Sequence, residues 1–147
     1  MNDSGRHAKP PAVGVDQVMW ALLHAAHTVE DRLEAALATV QLSGAKLGVL
    51  TELVKAGEPL PLSELASRIQ CVRSNVTQLV DRLEAEGLVR RVNDPSDRRS
   101  KRAELTASGR ERQRAGAEKL TTIQKELAAS IPSGERAPLL HALAGLK

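Results

Sequence analysis

The chain has 147 residues, 41% of them apolar, with a formal net charge of +3. That is enough for one domain, or for a small domain with an extension that needs a partner. There is no Phe, no Tyr and a single Trp, so any core must be aliphatic, and no apolar run approaches the roughly 20 residues that cross a bilayer.

The first 14 residues, MNDSGRHAKPPAVG, are polar and rich in Pro and Gly. They read as a disordered tail and lack the apolar stretch of a secretory signal. With a single cysteine, Cys71, a cytoplasmic location is expected. Over residues 15–42, Val18, Leu22, Ala26, Val29, Leu33, Leu37 and Val40 recur at helical spacing, and Met19 and Leu23 widen the apolar surface beyond one face. Residues 43–59 predict a second helix, capped by Ser43 and ended by Gly57 and Pro59. LSELASRI predicts a short third helix with Ser63 as its cap, and RSNVTQLVDRLEAEG a fourth, stopped at Gly87.

The period then changes. LVRRVN and SKRAELT predict two short strands joined by DPSDRR, a hairpin with a loop longer than a two-residue turn. Thr106 is placed to cap a long helix over 107–130. Pro132 separates it from a last helix, in which Pro138 lies early.

Charge is unevenly placed along these elements. Residues 10–62 carry three basic and six acidic side chains, whereas residues 88–114 carry nine basic and four acidic. The hairpin region is built to meet something negative. On the fourth helix, Val76, Leu79, Val80 and Leu83 share one side, while Ser74, Gln78 and Asp81 lie opposite, flanked by Asn75, Thr77 and Arg82. Ser74, Asn75, Thr77 and Gln78 are short and neutral, suited to reading base edges in a major groove. An ordinary polar helix face explains the same pattern. The basic hairpin that follows favours the wing of a winged helix-turn-helix. In that arrangement Arg98 and Arg99 enter a minor groove at the tip, while Arg73, Arg82, Arg90, Arg91, Lys101 and Arg102 track phosphates. Asp97 is expected to orient the wing by holding a neighbouring guanidinium, or to serve as a turn residue.

Residues 43–112 closely resemble the MarR (multiple-antibiotic-resistance regulator) family of winged helix-turn-helix transcription regulators. The resemblance rests on SNVTQLVDRLEAEGLVRR, on Asp97-Arg98-Arg99 and on the closing LTASG. Val72 stands where the pattern has a capping Ser, and Gln70 replaces a common turn Gly. The resemblance implies a mainly α fold with a β-hairpin wing. Residues 15–42 would be an N-terminal dimerisation helix, 43–106 the DNA-binding domain, and 107–147 C-terminal dimerisation helices. It also implies a homodimer on a pseudo-palindromic operator in double-stranded DNA, usually a repressor released by a small-molecule effector. Val18, Met19, Leu22, Leu139, Leu140 and Leu143 are the expected dimerisation residues. Trp20 would line an effector pocket or pack a subunit interface.

Three alternatives stay open. Cys71 suits a redox sensor or a buried apolar slot. His24 and His27, three residues apart, suit two metal ligands, with His141 as a further candidate, or a polar helix edge. A winged helix that docks proteins is the third, although it has no need of six basic side chains on a hairpin. No glycine-rich phosphate loop and no catalytic triad signature is present, so an enzyme is not expected. No cofactor, resident metal or membrane partner is expected either.

Overall fold

The computed structural model describes residues 13–69 and 76–146. In chain order these form α1 (Val15–Ala38), α2 (Gly44–Ala56), β1 (Leu60–Pro61), α3 (Leu62–Arg68), α4 (Val76–Ala85), β2 (Val89–Asn93), β3 (Lys101–Leu105), α5 (Ala107–Ser130) and α6 (Ser133–Ala144). The contacts divide the chain into two units, one ending at Asp31 and the other beginning at Arg32.

In the first unit α1 is a solvent-facing helix. Val18, Met19, Trp20 and Leu23 are exposed along it, and Leu22 is half-buried. The second unit holds the core. Leu37, Leu47, Val49, Leu50, Leu53, Leu60, Leu65, Val80, Leu83, Leu88, Val89 and Ala103 are buried together, so an aliphatic core does form without Phe or Tyr.

The helix ends follow local chemistry. The Ser43 side chain accepts from the Lys46 N–H at 3.2 Å, and Gly57 ends α2 in the left-handed region at φ 67°. Thr106 caps α5 through a bond from the Gly109 N–H at 2.9 Å. α1 ends less easily. Gln41 takes φ 57°, which lets the Leu42 N–H reach the Leu37 carbonyl at 3.0 Å. A residue other than Gly there costs about 1 kcal/mol.

Two local expectations differ from what is observed. Pro61 occupies the N-cap position of α3 with no side-chain bond, so Ser63 lies inside the first turn rather than capping it. A third strand, β1, completes a sheet of order β1-β3-β2. It is only two residues long, pairing Leu60 with Ala103 and Pro61 with Arg102. A strand that short leaves no alternation to read. The Pro138 ring is accommodated within α6, which contains no buried residue.

Candidate nucleic-acid interface

α4 buries Leu79, Val80 and Leu83, and exposes Thr77, Gln78, Asp81 and Arg82. This division follows from the 100° step per residue. The residues that precede it in the motif, Arg73, Ser74 and Asn75, lie outside the described residues, as do Gln70, Cys71 and Val72.

Gly87, at φ 73°, closes α4 with bonds from the Gly87 N–H to the Glu84 carbonyl and from the Leu88 N–H to the Leu83 carbonyl. This turn sends β2 straight back along α4. Strand alternation then puts Val89 and Arg91 on one face of β2 and Arg90 on the other. Val89 enters the core. Arg91 meets α4, with Nη2 at 2.5 Å from Asp81 Oδ1 and Nη1 at 3.6 Å from Glu84 Oε1. The Arg91 backbone N–H donates to Glu84 Oε2 at 2.9 Å. The base of the hairpin is thereby fixed beside the face of α4 that carries Thr77 and Gln78.

The hairpin is in register from Val89↔Leu105 to Asn93↔Lys101. The other cations on its strands have partners as well. Arg90 pairs with Glu104 across the strands, its neighbour in the register. Lys101 donates to the neutral Asn93 amide oxygen. Arg102 Nε meets Asp94 Oδ2 at 2.8 Å. Asp94 is a buried charged residue, and its other oxygen accepts from both the N–H and the hydroxyl of Ser96. The Arg102 hydrogen bond, with the Ser96 bonds behind it, holds the Asp94 carboxyl well below the usual carboxylate range.

At the tip, the Ser100 N–H donates to the Asp97 carbonyl at 3.0 Å. This makes Arg98 and Arg99 the two central residues of a β-turn. Asp97 Oδ1 accepts from the Arg99 backbone N–H at 2.9 Å. Asp97 therefore shapes the turn through the backbone, and the wing carboxylates that hold guanidinium groups are Asp94 and Glu104. The sequence does carry a sign of this, since Asp-Pro-Ser suits a side chain that bonds the backbone two residues on. Arg98 and Arg99 are exposed. Among the described residues neither they nor Arg82 form an ion pair.

The model for the MarR family matches residues 42–101, the span from α2 to the tip of the wing. The chain belongs to the MarR family. It is 31% identical over 106 residues to the HTH-type transcriptional regulator YdgJ of Bacillus subtilis, covering 72% of this chain and 64% of that protein. The chain spans between 29% and 64% of the length of the curated relatives it matches. Its fold is similar to that of the transcriptional repressor CouR bound to a 23-mer DNA duplex, with TM-score 0.75 and 30% identity over 89% of this chain and 92% of that one. The organohalide-sensing regulator RdhR-CbdbA1625 in its 2,4-dichlorophenol-bound form shares the fold at TM-score 0.77 and 22% identity, over 99% of this chain and 88% of that one.

Elsewhere in the second unit, Leu33, Leu37, Leu47 and Leu120 wall a mainly apolar cavity of about 260 Å³, with Gly44, Gly48, Thr51 and Glu52 completing its lining. Trp20, in the first unit, is 63% exposed. His27 Nδ1 lies 2.8 Å from the Leu23 carbonyl. Among the described residues no group of three or more His, Cys, Asp or Glu could hold a metal ion, and no helix is long and apolar enough to cross a membrane. On α6, Leu139, Leu140 and Leu143 are exposed.

Proposed function

We propose that this MarR-family chain is a homodimeric, ligand-responsive repressor that binds a pseudo-palindromic site in duplex DNA. Each protomer reads one half-site. Ser74, Asn75, Thr77 and Gln78 address base edges in the major groove. Arg98 and Arg99 address the adjacent minor groove, and Arg73, Arg82 and Lys101 the phosphates.

The observation that carries this reading is the pairing of a neutral polar helix face with an exposed Arg-Arg turn on a hairpin anchored to the same helix. The resemblance to a DNA-bound repressor supports it. The exposed apolar side chains at Val18, Met19, Leu139, Leu140 and Leu143 are the expected contacts of a second copy, together with Leu22. The cavity walled by Leu33, Leu37, Leu47 and Leu120 suits a small, largely apolar effector. Such a ligand releases DNA only if it binds the DNA-free arrangement more tightly.

The test is fluorescence anisotropy with a duplex selected from a random-sequence library by the wild-type protein. Arg82, Arg98, Arg99 and Lys101 have no carboxylate partner among the described residues, so a dimer brings about eight such cations. If all met phosphates, log K would fall against log salt with a slope of about −7. A slope near zero would reject the reading.

A further inference from the structure

Six basic side chains on the hairpin suggest six points of attraction to DNA. The geometry ties one of them, Arg91, to carboxylates of α4. We infer that Arg91 is a positioning residue that sets the wing against the recognition helix α4, and that it does not contact phosphate. This inference rests on the DNA-binding reading above.

Arg90 and Arg91 are adjacent in sequence but project from opposite faces of β2. The Arg90 side chain is 68% exposed, whereas that of Arg91 is 22% exposed and faces α4. Asp81 lies three residues after Gln78 and four after Thr77, so it occupies the same side of the helix, one turn on. Asp81 and Glu84 are themselves three apart and present two carboxylates to one guanidinium.

A planar guanidinium spans such a pair through two different nitrogens, as a single ammonium cannot. Glu84 adds a second tie, because its other oxygen takes the Arg91 backbone N–H. Side chain and main chain of one residue are thus held by one helix. Any phosphate that sought this guanidinium would have to displace two carboxylates. Those carboxylates repel DNA, so their place beside the reading face is costly unless they do something else. What they do is fix the direction in which β2 leaves α4, and so where Arg98 and Arg99 arrive at the far end of the hairpin.

The experiment compares Arg91→Lys and Arg91→Gln with wild type on the library-selected duplex, across a salt series. Wild-type binding is scored first. Its absence, or a flat salt response, would sink the DNA-binding reading itself and this inference with it. Given wild-type binding, both variants are expected to weaken affinity by about tenfold, with unchanged salt slopes. Adding Arg99→Ala to Arg91→Gln should then cost less than half of what it costs in the wild type, because the tip arginine is already misplaced.

A lysine variant that binds like wild type, beside a glutamine variant whose slope drops by about 0.9, would assign Arg91 to a phosphate and overturn the inference. Wild-type affinity in both variants would overturn it too. Asp81→Asn guards against misfolding, since its side chain is 56% exposed. Positioning requires weaker binding even though a negative charge has left the interface. Tighter binding would refute the inference.

Discussion

Gly109, in the first turn of α5, offers the sharpest structural test. A Cβ built there would lie 1.9 Å from the Leu88 carbonyl oxygen, 2.9 Å from its carbon and 2.8 Å from Leu105 Cδ1. Two of these atoms are backbone and cannot rotate away. Restoring even a 3.0 Å contact requires the helix start to retreat by about 1.1 Å. The same Leu88 carbonyl accepts from the Thr106 N–H at 3.2 Å and from the Thr106 hydroxyl at 3.0 Å. Retreat therefore strains the joint between α5 and the base of the wing as well. Overpacking costs about 1–3 kcal/mol, and a weakened hydrogen bond about 1 kcal/mol more. The better helix propensity of Ala returns at most about 1 kcal/mol.

Gly109→Ala should thus lose about 1–3 kcal/mol, or roughly 3–10 °C in Tm for a chain of this size. Gly134→Ala is the matched control. It lies in α6 with nothing within 4 Å of the added Cβ, so it should be neutral or gain up to about 1 kcal/mol. Both are measured by thermal and urea unfolding followed by circular dichroism. Protein concentration is held constant, because association shifts Tm. A Gly109→Ala protein as stable as the Gly134→Ala control would refute the steric argument.

Gln41→Gly should raise stability by up to about 1 kcal/mol in the same assay, by relieving the left-handed backbone at φ 57°. Asp94→Asn should loosen the wing at neutral pH, seen as faster amide exchange across β2 and β3. Because Asp94 titrates below its ordinary value, its contribution is fully present above about pH 5, where the unfolded carboxyl is already ionised. It declines as pH falls from there through the folded value, so the wild-type wing should loosen on acidification and the Asn variant should respond less. For DNA, Gln78→Ala should relax preference at one base pair by roughly 1–3 kcal/mol, whereas Arg99→Ala should weaken binding to many sequences. Competition titrations over a panel of single-base variants separate the two, and an identical pattern from both substitutions would contradict the assigned roles.

Much of this protein is legible along the chain. The stops at Gly57 and Gly87, the caps at Ser43 and Thr106, and the switch from a helical period to two short alternating strands are local events. They are encoded in neighbouring residues, and the observed elements fall where those signals put them. The polar face of α4 follows as directly, from residue spacing alone. Which of the wing's cations are neutralised was not legible, because it depends on which carboxylate each one meets across the fold. Arg90 and Arg91 are alike as letters, yet one pairs along the sheet and the other is claimed by a helix. Asp94 and Asp97 are both acids of one loop, yet one binds a guanidinium and the other a backbone N–H. Local signals act over a few residues and are written in the chain. The partner of a long charged side chain is settled only when strand pairing and the turn at Gly87 bring distant groups within hydrogen-bond reach.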